Sequence, residues 1–339
     1  MTVLEFLRDY RNSKIYYSGL VNEHGIEVGN HGDRLMRLGE NIIFSKLNLT
    51  FVDNAANADL IVIGGGGYMH EKYSTGARLL RKLCRSWPDI PICFLPGTYY
   101  YPTTPFAHLA NDDKDHSFTN DINGRQALIT IFCREAYSYN HLLQEHKLPS
   151  CCEIHLDHDM AFHLADSDLV KEIASGTPRH VLIVERIDQE HINVGFNTMQ
   201  INPVRRLANK VIPIGIKKTL YPLLRLYRAH NNTPFRQQCE SILARNFTDF
   251  MKFPKFVRDI SAPNYGTFQN FCAAIQDAAV VFTTRAHVGI LAAMAGKTTV
   301  LFEGPYHKIR GLYEYSLANL PNVTFVALLE REINKRVIN

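Results

Sequence analysis

The segment TTRAHVGILAAMAGK (283–297) sets two cation-capable side chains, Arg285 and His287, between an apolar, β-rich run and a run of small residues. A strand over 279–285 feeding a helix over 287–296 places both at the carboxyl end of the strand and the start of the helix. Free backbone N–H groups and the helix dipole favour an anion there. Arg285 can grip a phosphate or carboxylate through a bidentate fork, and His287 can donate a hydrogen bond or carry a proton. Gly289, Ala292, Ala293 and Ala295 allow the helix to lie close to a sheet. The plainer reading of the same residues is a salt bridge at a helix start beside a core histidine.

Other stretches carry chemistry-bearing residues at the ends of apolar runs. GGGG (64–67) directly follows DLIVI, so Gly65 and Gly66 are candidates for close backbone approach to a ligand, with a tight turn as the alternative. The run lacks the GxGxxG pattern with a ribose-binding acid and lacks a Walker lysine. GNHGDRLM (29–36) offers Asn30 and Asp33 near a predicted helix start. Asp33 reads either as a catalytic or acceptor-binding carboxylate or as a helix cap. IHLDHDMAFHL (154–164) gathers Asp157, His158, Asp159 and His163 around a short strand, but alternation sends them to different faces, so no metal site is expected. VERIDQE (184–190) puts Arg186, Asp188 and Glu190 on one face of an extended end. Arg186 there supplies a second cation for a second anionic group. PGTYYYPTTPF (96–106) combines aromatic rings and hydroxyls, which suits either a sugar platform or a packed loop.

The elements that must position these residues alternate. Strands are predicted at 14–20, 58–67, 90–98 and 127–135, with helices at 32–47, 75–87 and 136–146 between and after them. The pattern restarts with strands at 179–188, 279–285 and 297–304 and helices at 266–278, 287–296 and 308–320. Continuous apolar strands alternating with helices predict parallel sheets covered on both faces, which bind ligands at the carboxyl ends of their strands. The fold class is α/β, with two Rossmann-like domains, 1–165 and 175–339, facing one cleft in a GT-B-like arrangement. The boundary falls near 165–178. A basic insertion near 196–257 does not fit the alternation.

Composition agrees with a two-domain globular chain. There are 339 residues, 46% hydrophobic and 21% charged. No apolar run approaches the ~20 residues that span a bilayer. The N-terminal MTVLEFLRDYRNSK is charged throughout and lacks a signal-peptide apolar core, so a cytoplasmic location is expected. The seven cysteines form no CxxC and no zinc spacing, and Cys151–Cys152 reads as two ordinary thiols. The net charge is +4, yet 201–230 alone holds seven basic side chains and no acidic one. Two readings stay open for that stretch: a solvated basic face, or peripheral contact with an anionic membrane. No nucleic-acid motif accompanies it.

Taken in order, GNHGD, DLIVIGGGG, FLPGT, CREAYSY, DHDMAF, ERIDQE, TTRAH and YHKIRGLYE resemble the polysaccharide pyruvyl transferase family over roughly residues 25–318. The resemblance implies a GT-B-like fold. It also implies transfer of the enolpyruvyl group of phosphoenolpyruvate onto two hydroxyls of a sugar, giving a cyclic pyruvate ketal and free phosphate. The sugar would belong to a polysaccharide or its lipid-linked precursor, such as a polyprenyl-diphosphate-linked unit. By the same resemblance Arg285 and His287 hold phosphoenolpyruvate and Arg186 is a further contact. Ala286, where a larger apolar residue is common, forms pocket wall, and Val288 stands where glycine is frequent. Tyr306, Lys308, Asn30, Gly65, Gly66 and His158 complete the candidate substrate contacts. His287 is the leading general acid for C3 of the donor, and Asp33 or Asp157 the base for the attacking hydroxyl. No resident cofactor is expected, phosphoenolpyruvate being a co-substrate. Two other functions compete: a GT-B glycosyltransferase whose Glu303 accepts from the ribose of a nucleotide sugar, and a non-catalytic carbohydrate-binding protein.

Overall fold

A computed structural model describes residues 1–18, 29–70, 75–100, 122, 125–144, 149–186, 233–262 and 264–327. The basic stretch 201–230, Asp188, Glu190 and residues 101–106 of the aromatic segment lie outside the described residues. The chain forms two compact units. The first comprises Met1–Lys171 and Arg310–Leu320, the second Glu172–Ile309 and Pro321–Asn339. Arg310–Leu320, read from the sequence as part of the C-terminal half, thus belongs with the first unit.

The first unit is built on a parallel sheet of seven strands: β1 (Lys14–Ser18), β2 (Thr50–Phe51), β3 (Leu60–Ile63), β4 (Gly66–His70), β5 (Ile92–Tyr100), β6 (Ile129–Cys133) and β7 (Cys152–Leu156). Their order is β2-β1-β3-β5-β6-β7, with β4 paired to the far end of β5. Every residue of β3 and β6 is buried, as expected of parallel strands covered on both faces. Helix α1 (Val3–Arg8) opens the unit, and α2 (His31–Lys46), α3 (Thr75–Ser86) and α4 (Ala136–Gln144) alternate with the strands. Helix α2 buries Leu35, Met36, Gly39, Glu40, Ile43 and Phe44. A Cβ on Gly39 would lie 1.9 Å from the Met160 carbonyl, so only glycine lets α2 pack against the 3₁₀ turn Met160–Leu164.

The glycine run is a joint between two strands rather than a tight turn. Strand β3 pairs with Ile92–Phe94 of β5, and β4 pairs with the same strand from Gly97 onward. Gly66, at φ +147°, holds a conformation that L side chains rarely adopt.

After α5 (Asp168–Ala174), the second unit carries a five-stranded parallel sheet ordered β12-β11-β10-β8-β9. The strands are β8 (His180–Val184), β9 (Lys255–Val257), β10 (Ala278–Thr283), β11 (Thr298–Phe302) and β12 (Val323–Val326). The helices are α6 (Pro234–Asn246), α7 (Phe268–Gln276), α8 (Ala286–Met294) and α9 (Lys308–Leu312). The helix predicted over 308–320 is α9 followed by one π-helical turn at Tyr313–Leu317. Phe235 of α6 meets Phe302 of β11 edge-on, 4.8 Å between ring centroids, in a core shared with Val181, Ile183, Val280 and Phe282. Helix α8 is buried from Ala286 to Ala293. A Cβ on Gly289 would come within 2.3 Å of Leu301 Cδ2, so its absence lets α8 settle against β11. Among the described residues, no helix is long and apolar enough to cross a membrane.

Candidate active site

Strands β8, β10 and β11 are neighbours in the sheet, and all three point their carboxyl ends the same way. Just beyond those ends lies a small, shallow recess, partly open to solvent. Arg186 contributes from two residues after β8, Thr284 from the end of β10, and Gly304, Pro305, Tyr306, Lys308 and Ile309 from the segment after β11. This is where a parallel α/β sheet binds ligands, because the strands stop there and the connecting loops diverge. Two cationic side chains on different loops make the recess suited to a small anion carrying more than one charged group. Three sequence candidates, Arg186, Tyr306 and Lys308, are thus brought together. Thr284, which sequence reasoning passed over, joins them; its hydroxyl accepts the Arg186 backbone N–H at 3.0 Å.

Arg285 follows Thr284 and stands at the N-cap of α8, but it is not among the residues lining the recess. Its guanidinium makes a side-on pair with Asp259: Nε donates to Oδ1 at 3.0 Å and Nη2 to Oδ2 at 2.6 Å. The side chains are 7% and 4% exposed. The bidentate geometry expected of Arg285 is present, and its partner is a carboxylate of the protein. The Arg285 backbone N–H donates to Thr283 Oγ1 at 2.9 Å, so both ends of the residue are fixed. Ala286 and His287 open α8 and are both buried.

The first unit places its candidates at the carboxyl edge of the other sheet. Asn30 and Asp33 form the capping box of α2: Asn30 Oδ1 accepts from Gly32 N and Asp33 Oδ2 from Asn30 N, each at 2.8 Å. The cap reading of Asp33 is therefore realised. The Gly65 N–H, a candidate ligand donor, is taken by Glu40 Oε1 at 3.0 Å. Glu40 Oε2 accepts from the Tyr17 hydroxyl at 2.6 Å, and Arg37 approaches it at 3.5 Å while lying 3.6 Å over the Tyr17 ring. Burial pushes the Glu40 carboxyl above the usual carboxylate range, against the opposing pull of Tyr17, Gly65 and Arg37. Gly66 begins β4.

The side chains of DHDMAF diverge, though not by strand alternation: β7 ends at Leu156, and Asp159 caps the 3₁₀ turn that follows. Asp157 accepts the Val3 N–H at 2.7 Å and the His158 N–H at 2.8 Å, tying the start of α1 to the end of β7. His158 is exposed; it stacks on Tyr315 at 4.8 Å, and its Nδ1 lies 2.9 Å from Ser316 Oγ on the π-helical turn. The Tyr315 hydroxyl is raised, first by burial and then by the Asp157 charge. Asp159 pairs with Arg134 Nη1 at 2.7 Å, and both side chains are fully buried. His163 is half-buried, and burial holds its imidazole below its ordinary value.

Sequence reasoning missed Asp259, Glu40 and Thr284. Asp259 carries one signal, an acid two residues beyond a short strand, but nothing local names Arg285 as its partner. Glu40 sits on the buried face of an amphipathic helix, where a carboxylate has to be paired. Glu303 is buried at the end of β11.

Comparisons with known proteins agree with this architecture. The sequence matches the family model for polysaccharide pyruvyl transferase over residues 3–304. The chain belongs to the polysaccharide pyruvyl transferase family, which makes it a transferase of the class that uses phosphoenolpyruvate as donor and a polysaccharide as acceptor. No curated protein matches the sequence. The chain is similar in fold to a functionally uncharacterised protein from Klebsiella pneumoniae subsp. pneumoniae NTUH-K2044. The TM-score is 0.55 at 18% identity, covering 96% of this chain and 99% of the other.

Proposed function

We propose that this protein moves the enolpyruvyl group of phosphoenolpyruvate onto two hydroxyls of one sugar, forming a cyclic pyruvate ketal, and that it works as a GT-B-like pair of domains. The observation that carries the reading is the recess of the second unit, where Arg186 and Lys308 converge from separate loops beside the Thr284 hydroxyl. A donor with a phosphate and a carboxylate needs two cationic grips. In this reading Arg186 and Lys308 supply them, Tyr306 closes one wall, and Arg285 and Ala286 border the donor from the start of α8.

The reaction balances without an external oxidant or reductant. Protonation of donor C3 makes C2 electrophilic, one sugar hydroxyl adds there, the C2–O bond to phosphate breaks, and the second hydroxyl closes the ring. One hydroxyl proton is thereby matched by the new methyl C–H and the other leaves with phosphate. His287 is assigned the acid role, a contribution of about 10²–10⁴-fold for a positioned side chain. Asp33 and Asp157 both accept backbone N–H groups, so neither is assigned as the base. His158, exposed beside Tyr315, is assigned to the acceptor side.

The acceptor is proposed to be linked to a polyprenyl diphosphate at the cytoplasmic face of the membrane. The supporting feature is the basic run at 201–230, where each cation near an anionic bilayer adds about 1 kcal/mol. Co-sedimentation with anionic liposomes at low salt is expected, and failure to co-sediment would remove the membrane part.

Ligand-induced thermal stabilisation tests the donor. A ligand at about 100 times its Kd stabilises by about 2.7 kcal/mol. Phosphoenolpyruvate should raise the melting temperature of the wild type and much less that of an Arg186→Ala/Lys308→Ala variant. Stabilisation by a nucleotide sugar and not by phosphoenolpyruvate would favour glycosyl transfer instead.

A further inference from the structure

At the edge of the recess, the Thr283-Thr284-Arg285 tripeptide is tied to its neighbours by side-chain hydrogen bonds. Thr283 Oγ1 accepts the Arg285 N–H at 2.9 Å, and Thr284 Oγ1 accepts the Arg186 N–H at 3.0 Å. Asp259 takes the Arg285 head group side-on, with Nε–Oδ1 at 3.0 Å and Nη2–Oδ2 at 2.6 Å. The ends of three strands, β8, β9 and β10, therefore meet at one tripeptide. Asp259 is itself held: the Arg258 N–H donates to Ile183 O at 3.0 Å, extending the β8–β9 pairing, and the Ala262 N–H donates to Asp259 O at 3.3 Å.

We propose that Asp259 is a positioning residue for the donor, fixing the Arg285 guanidinium and, through the Thr283–Thr284 backbone, the loop that presents Arg186 to the recess. The proposal rests on the donor reading given above. Asp259 is not a placeholder that an incoming anion displaces. Its side chain is 4% exposed, and release from the guanidinium would leave a buried carboxylate unpaired, which is strongly unfavourable. A planar fork held along one edge has its rotation fixed, whereas an unheld one must be ordered each time the donor binds. Misplacement of a positioning group by about 1 Å costs on the order of 100-fold.

The experiment compares wild type with Asp259→Asn, Asp259→Glu, Arg285→Ala and Asp259→Asn/Arg285→Ala. Steady-state kinetics are run with phosphoenolpyruvate and a fixed acceptor, and each variant's melting temperature is recorded. Asp259→Asn is expected to lower kcat/KM by about 10- to 100-fold, mostly through KM for phosphoenolpyruvate, with KM for the acceptor unchanged. Adding Asp259→Asn to Arg285→Ala should cost little more, because the carboxylate acts through the guanidinium. Asp259→Glu keeps the charge and provides the same KM test should the asparagine variant unfold. A lower KM in Asp259→Asn would mean that the carboxylate competes with the donor, and would overturn the proposal. So would unchanged kinetics alongside an impaired Arg285→Ala. If Arg285→Ala itself keeps wild-type kinetics with phosphoenolpyruvate, the donor role of Arg285 fails and the proposal goes with it.

Discussion

Replacing Asp159 with alanine should nearly unfold the first unit. Asp159 Oδ2 accepts from Arg134 Nη1 at 2.7 Å with both side chains fully buried, and Oδ1 caps the Met160–Leu164 turn by accepting the Ala161 N–H at 2.9 Å. Without the carboxylate, the guanidinium keeps Thr98 Oγ1 on Nε at 2.9 Å and Met36 Sδ at 3.7 Å, neither of which can neutralise it. Arg134 Nη2 already lacks a hydrogen-bond partner among the described residues. Removing one partner of a buried pair costs about 3–5 kcal/mol, and a lost N-cap costs about 1 kcal/mol more. About 4–6 kcal/mol is a large part of the ~5–15 kcal/mol that holds a domain folded. The sequence has a single tryptophan, Trp87, packed against the core of the first unit, so its fluorescence during urea unfolding follows that unit. The Arg134→Met/Asp159→Leu double variant, which leaves no unpaired charge, should lose far less than Asp159→Ala alone. An Asp159→Ala variant within about 1 kcal/mol of wild type, as for an exposed ion pair, would refute the reasoning.

Three further outcomes are expected. His287→Gln should lower kcat more than it raises KM for phosphoenolpyruvate if His287 protonates C3, and an unchanged kcat in steady-state assays removes it from that role. Asp33→Ala should destabilise the first unit by about 0.5–1.5 kcal/mol through loss of the N3 half of the capping box, Asn30 keeping its own cap bond; a kcat loss of about 100-fold or more would instead mark it as a proton-transfer group. Glu40 titrates above the usual range when folded, so the folded state keeps a proton that the unfolded chain has shed, and stability is lost as pH rises through the raised value. Glu40→Gln removes that slope, so urea midpoints of the variant should gain on wild type from about pH 5 upward, and parallel pH profiles would contradict the assignment.

The strands were legible because they are continuous apolar runs. LIVI, ITIFC and AVVFT bury every residue, and a parallel sheet covered on both faces asks for that pattern. Strand β4 was not separated from β3, because the strand expected over 58–67 ran through the glycines, and only the two registers with β5 mark the break. The helix expected over 308–320 was right in place but not in hydrogen bonding, since a π turn leaves no period that so short a stretch can reveal. At the site, Arg186, Tyr306 and Lys308 could be named as candidates, but their convergence could not, because it depends on β8 and β11 flanking β10. Arg285 was visible as a cation at a helix start. Its partner Asp259 lies 26 residues earlier and comes into reach only because β9 pairs with β8. CREAYSY and DHDMAF likewise each displayed one half of the buried Arg134–Asp159 pair.

Product mass spectrometry tests the central claim most directly. The purified protein is incubated with phosphoenolpyruvate and a panel of galactose-, glucose- and mannosamine-terminated acceptors, with released phosphate measured in parallel. The account predicts that one acceptor gains a pyruvyl ketal with one phosphate released per ketal formed, and that Arg186→Ala/Lys308→Ala loses both signals. A product that gains a sugar from a nucleotide donor, or no product and no phosphate with any acceptor, would contradict it.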